Sequence, residues 1–91
     1  RAPLTEYLKA NPARMITIEG HTDSKRSDEH NKALSQARAD AVRELFIAQG
    51  IEATRVVATG MGESFPLASN DSEAGRLQNR RVQIILSQPV R

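Results

Sequence analysis

The sequence predicts an α+β fold, sandwich-like, in which a mixed parallel and antiparallel sheet carries helices packed on one face in the order αβαβ(α)β. Three observations predict it. Period-2 alternation at Met15–Glu19 and again at Val82–Leu86 reads as two strands. A long helical periodicity separates the first of these from a short apolar run, Val56–Ala58. Glycine or proline punctuates the boundaries at Pro12, Gly20, Gly50, Gly60 and Gly62. Strand, long helix, strand, short helix and strand place the helices against one sheet face.

The elements follow in order. Leu4–Ala10 carries Leu4, Tyr7 and Leu8 at i, i+3 and i+4, the tail of an amphipathic helix that Asn11-Pro12 stops. In Met15–Glu19, Ile16 and Ile18 share one side while Thr17 and Glu19 share the other. Gly20 ends that strand, and His21, Thr22, Asp23 and Ser24 form the loop after it. Ser27-Asp28-Glu29 has a capping hydroxyl followed by acids and resembles a helix start, with Asn31 and Ser35 as alternatives. The main helix runs to Gln49 and is ended by Gly50. Its predicted apolar stripe is Leu34, Arg38, Ala41, Leu45 and Ala48, widened by Ala37, Val42 and Phe46. Gln36, Asp40, Arg43 and Glu44 then fall on a solvated face.

Ile51–Arg55 connects to the short strand Val56–Ala58, and Gly60–Asn70 is a loop. Asn70 or Ser72 caps a short helix through about Gln78. In the last strand Val82, Ile84 and Leu86 share one side. If that side faces the helices, Arg80 shares it, and Arg81 and Gln83 face away. Gln88–Arg91 reads as a frayed end.

Ninety-one residues suffice for one domain with a modest core, so residues 1–91 are assigned to a single domain. A hydrophobic fraction of 38% against 26% charged is an ordinary globular mixture rather than a disordered one. Aromatics are 3% and the net charge is +2, which leaves no platform for stacking bases and argues against nucleic acid. Cysteine is absent, excluding a disulfide framework and a Cys-rich zinc site. No apolar run has the length of a membrane span. The chain starts mid-stream at Arg1 and reads as a domain cut from a longer protein, so any membrane link is expected from parts outside it.

Two residues carry the chemistry. Asp23 sits just after an apolar strand, and Arg38 falls within the stripe of the following helix. Charges in such places are costly unless they meet each other or a ligand. Paired internally, they would only fix the loop. Paired with a ligand, the carboxylate takes an ammonium and the guanidinium fork takes a carboxylate, which together read an amino-acid head group. Asn31 fits such a pocket or a helix cap. The parity of the last strand brings Arg80 towards the half of the main helix that holds Arg38.

Several linked motifs carry a resemblance. Gly20-His21-Thr22-Asp23-Ser24, Asn31-x-x-Leu34-Ser35-x-x-Arg38-Ala39, Gly60-x-Gly62-Glu63-x-x-Pro66, Asn70 and Asn79-Arg80-Arg81-Val82 stand in the order and spacing of the outer membrane protein A C-terminal domain family. That family includes peptidoglycan-associated lipoproteins and flagellar stator subunits, and the resemblance covers about Leu4 to Leu86. It implies non-covalent binding of peptidoglycan through diaminopimelate of the stem peptide, on the periplasmic side of the envelope, with no cofactor. It implies that Asp23 and Arg38 hold the amino and carboxylate groups of that residue. Asn31 and Arg80 line the same pocket, and Thr22 is counted with them.

The sequence departs from the family in two ways. Lys25-Arg26 stands where the family's loop has a glycine. If that position needs a positive φ, a side chain there costs on the order of 1 kcal/mol. The two cations are expected to change ligand affinity slightly, and unchanged affinity for wall peptide in Arg26→Gly would refute that. The family's first strand and the start of its first helix have no counterpart ahead of Arg1, which is expected to bare a sheet edge.

Rival chemistries are poorly supported. His21, Asp23 and His30 lack the spacing of a zinc site. Ser24, His21 and Asp23 are too close in sequence for a catalytic relay. Arg76, Arg80 and Arg81 would make only a small basic patch. The expected protein is a non-enzymatic wall-binding module, and the alternative is a periplasmic interaction module in which Asp23–Arg38 is a structural salt bridge.

Overall fold

Residues 3–87 are described here by a computed structural model; the Gln88–Arg91 tail lies outside the described residues. The order is α1 (Pro3–Ala10), β1 (Met15–Gly20), α2 (Asp28–Ala48), a 3₁₀ turn (Ala53–Arg55), β2 (Val56–Gly60), α3 (Glu73–Asn79) and β3 (Val82–Ser87). The fold is α+β with a mixed sheet of order β2-β1-β3. β1 runs parallel to β2, with Ile18 beside Ala58 and Gly20 beside Gly60. It runs antiparallel to β3, with Ile18 beside Ile84 and Gly20 beside Val82. The parallel pair needs a long crossover, which α2 supplies.

Ile16 and Ile18 are fully buried and join Leu8 of α1, Ala39 and Phe46 of α2, Ile51 and Val56 in one core. Ser27 caps α2, its hydroxyl accepting from the His30 amide at 3.1 Å, so of the three candidate starts the first is used. Gly50 follows the helix at φ +98°, a left-handed geometry suited to glycine. Ser72, not Asn70, caps α3.

The buried line of α2 differs from the apolar stripe read in sequence. Asn31, Ser35, Ala39 and Phe46 point inward, whereas Leu45 is 62% exposed and Ala41 and Ala48 are exposed. The cause lies at the strand ends. A Cβ on Gly20 would stand 2.1 Å from the Ser35 carbonyl oxygen, and one on Gly60 would stand 2.5 Å from the Gln36 amide nitrogen. Backbone meets backbone there, so only small or hydrogen-bonding side chains fit between helix and sheet. Arg38 is therefore half-buried beside the packed line rather than within it.

The supposed solvated face of α2 also does structural work. Gln36 donates to Ala58 O and accepts from the Gly60 amide, and Arg43 donates to Val56 O and Ala53 O. On β3, Val82, Ile84 and Leu86 stay 37–41% exposed, because β3 is an edge strand of the three-stranded sheet. Ile84 nevertheless shares a groove with Leu4, Val42 and Phe46, which puts the even positions on the helical side as parity predicts.

Arg55 ties α1 to this frame. Its guanidinium donates to the carbonyls of Leu8, Asn11 and Arg14 and pairs with Glu52. Lysine lacks the fork to reach all three carbonyls. Arg55→Lys is expected to lower stability by roughly 1.5–3 kcal/mol in urea unfolding.

Candidate functional site

The site is assembled where β1 gives way to α2. The His21 amide donates to Arg81 O at 2.8 Å and the Thr22 amide to Gly62 O at 2.9 Å, so the loop is stitched between β3 and the segment after β2. Thr22 Oγ1 donates to Asp23 O. The Asp23 carboxylate, 7% exposed as a residue, accepts the Lys25 amide on Oδ1 at 3.0 Å and Arg80 Nη1 on Oδ2 at 2.8 Å.

Asn31, 1% exposed, turns its Nδ2 to Asp23 O and Arg26 O at 3.2 and 3.1 Å, with Glu63 Oε2 at 3.4 Å. It thus fixes the loop from below. Asn31, Leu34 and Arg38 follow at i, i+3 and i+7 and project on one side of α2. Thr22, Asp23, Asn31, Arg38 and Arg80 all line one pocket of about 220 Å³, together with Lys25, Arg26, His30 and Leu34. The five residues singled out in the sequence are brought together.

Their pairing differs from the sequence reading. Asp23 makes its ion pair with Arg80, and no salt bridge joins it to Arg38 among the described residues. Arg38 lies across the pocket with no hydrogen bond or ion pair to any described residue. The reason is positional: Arg80 ends α3 and enters from the strand side, close to the loop, while Arg38 is almost two turns along α2 from Asn31.

Glu73 was not singled out in the sequence. It accepts from Arg76 Nε at 3.2 Å and from Arg80 Nη2 at 2.8 Å, so Arg80 bridges two carboxylates. The signal was available: Glu73, Arg76 and Arg80 recur at i, i+3 and i+7. With Arg81 donating to Gln83 and to Phe65 O, the basic cluster suggested for nucleic acid is internally committed.

His21 does not line the pocket. It is buried with Nε2 3.2 Å from Glu19 Oε1, and it helps hold the loop. No cluster of three or more His, Cys, Asp or Glu residues fit for a metal occurs among the described residues. No non-glycine residue there has a positive φ, so Arg26 replaces the family's glycine without backbone strain. A larger cleft of about 650 Å³, lined by Asp28, Glu29, Lys32 and Met61–Ser64, contains none of the predicted site residues.

The Lys25 amide hydrogen bond holds the Asp23 carboxyl below the usual carboxylate range, helped by Arg80 and opposed by burial. Arg80 likewise keeps Glu73 low, and Glu73 and Asp23 together raise Arg80. A depressed folded pKa contributes stability that is present above the ordinary aspartate value and lost as pH falls through the folded one. The Asp23 carboxyl is therefore expected to titrate below about pH 4 when followed by carbon NMR. Asp23→Asn should remove that component of the acid destabilisation.

A sequence profile of the OmpA family matches residues 2–80. This chain belongs to the OmpA family. Outer membrane porin F of Pseudomonas fluorescens is 44% identical over 80 residues, which cover 88% of this chain and 24% of the porin. The chain thus spans about a quarter of that relative. The crystal structure of the peptidoglycan-associated lipoprotein from Burkholderia pseudomallei superposes with a TM-score of 0.89 at 36% identity, covering 93% of this chain and 72% of that one. The cell wall anchor of the type VI secretion system (T6SS) from Pseudomonas aeruginosa does so with a TM-score of 0.79 at 32% identity, covering 96% and 62%. This OmpA-family domain therefore shares its frame with proteins named for attachment to the wall.

Proposed function

We propose that this OmpA-family domain binds peptidoglycan non-covalently through the diaminopimelate residue of the stem peptide. It thereby tethers the protein that carries it to the cell wall, on the periplasmic side of the envelope and in association with the outer membrane. It catalyses nothing. The names of its relatives support wall attachment. The observation that carries the finer reading is the convergence of Thr22, Asp23, Asn31, Arg38 and Arg80 on one pocket, with Arg38 uncommitted.

The free end of a diaminopimelate side chain carries an ammonium and a carboxylate on one carbon. Asp23 keeps lone pairs beyond those given to Lys25 and Arg80, because a carboxylate offers about four acceptor sites. The ammonium binds there. Arg38 presents its fork to the carboxylate. Asn31 and Thr22 spend their donors on the loop backbone, so they position Asp23. The rival reading, an interaction module whose Asp23–Arg38 pair is structural, lacks its defining contact, since Asp23 pairs with Arg80.

Glu73 competes with the ligand carboxylate for Arg80. Glu73→Gln is expected to tighten binding of a stem peptide roughly two- to fivefold in calorimetry, the scale of an exposed ion pair. The reading itself is tested by cosedimentation with purified sacculi. The domain should pellet with them and be released by free diaminopimelate. Failure to pellet would refute wall binding, and pelleting that diaminopimelate does not relieve would refute this ligand.

A further inference from the structure

The pocket holds more positive charge than a zwitterionic head group can use. Lys25, Arg26, Arg38 and Arg80 line it, and Asp23 is the one carboxylate among its lining residues. Arg80 is committed to Asp23 and Glu73. The side chains of Lys25, Arg26 and Arg38 have no hydrogen bond or ion pair to any described residue. An ammonium and a carboxylate bound at Asp23 and Arg38 cancel each other and leave Lys25 and Arg26 without a counter-charge.

Those two cations are not on a loose loop. The Lys25 amide is held by Asp23 Oδ1, and the Arg26 carbonyl is held by Asn31 Nδ2. Ser27, the next residue, caps α2. The backbone that carries them is thus pinned by two of the proposed head-group residues, which fixes where the charges emerge and limits the ordering cost on binding.

From this we infer that the domain selects wall peptides bearing a second free carboxylate beside the diaminopimelate head group, and that Lys25 and Arg26 form the subsite for it. The inference rests on the diaminopimelate reading and deepens it. The second carboxylate lies on the peptide main chain near the head-group residue, as the glutamyl α-carboxylate of the stem does when it is not amidated. Both side chains are exposed, so the discrimination is that of surface charge pairs and is screened by salt.

The test compares two synthetic tripeptides, Ala-γ-D-Glu-diaminopimelate with the glutamyl α-carboxylate free or amidated, by calorimetry at low salt. The free acid should bind about three- to tenfold more tightly, two exposed charge pairs being of that order. Lys25→Gln/Arg26→Gln should bring the ratio to about one and keep affinity for the amide, and 0.5 M salt should shrink the parent's ratio. Neither side chain has a structural partner, so the double variant should keep its unfolding midpoint. Equal binding of both peptides by the parent, or an unchanged ratio in the double variant, would overturn the inference and leave the head-group reading intact. Failure of both peptides to bind would overturn the head-group reading and this inference with it.

Discussion

Asp23→Ala is expected to leave the domain folded and to weaken its binding of a diaminopimelate-bearing stem peptide by a factor on the order of 10² or more. Asp23 is the one carboxylate among the residues lining the pocket, set against four permanent cations. Without it an incoming ammonium meets only like charge. The fold should survive, because Arg80 keeps Glu73 as a partner and its side chain is 30% exposed, so no charge is stranded out of water. What the backbone loses is the acceptor of the Lys25 amide, worth about 1–2 kcal/mol. Calorimetry paired with thermal unfolding by circular dichroism separates the two effects. A folded variant that still binds would place the head group elsewhere.

The second large effect is on stability. Gly20→Ala should cost about 3 kcal/mol or more and lower the melting temperature by roughly 10–20 °C. The added Cβ would lie 2.1 Å from the Ser35 carbonyl oxygen and 2.9 Å from its carbon, both backbone atoms of a long helix that cannot yield locally. Ser35 is fully buried and accepts the Gly62 amide, so moving the helix also pulls on the loop beyond β2. Gly62→Ala is the control. Its Cβ would have ordinary room, 3.6 Å from the nearest atom, so only its φ of +58° is penalised, at about 1 kcal/mol. If the two variants melt together, the close crossing of helix and strand is not what sets stability.

That crossing links fold to site. α2 passes over the glycine ends of β1 and β2, and this brings Asn31 under the Asp23 loop and carries Arg38 to the far wall of the pocket. Much of it was legible. The alternation of Ile16 and Ile18, the Ser27 cap, the Gly50 stop and the parity that sends Arg80 towards α2 are all local patterns. Asp23 and Arg38 stood out because charge beside apolar residues demands a partner.

What was not legible has a common physical cause. The inward face of α2 is built from Asn31, Ser35 and Ala39, which carry no hydrophobic signal, so the apolar count favoured the line through Leu34 and Leu45. Close approach of backbones selected small residues there, and only the three-dimensional position of Gly20 and Gly60 reveals it. The choice of Arg80 over Arg38 as the partner of Asp23 is likewise a matter of distance. So is Glu73, whose helical spacing to Arg80 could have been read but whose closeness to the loop could not. On β3, alternation correctly gave the facing but not the burial, since exposure of an edge strand depends on neighbours.

The central claim is that one pocket reads an ammonium and a carboxylate together, and the most direct measurement removes one of them from the ligand. A stem peptide with diaminopimelate and the same peptide with lysine in its place differ only by the carboxylate at the side-chain end. Titrated calorimetrically against the parent domain, the diaminopimelate peptide should bind saturably and the lysine peptide at least tenfold more weakly, the loss of one charge-assisted pair. Arg38→Ala should abolish the difference by weakening the first alone. Equal binding of the two peptides by the parent, or discrimination that survives in Arg38→Ala, would contradict the account.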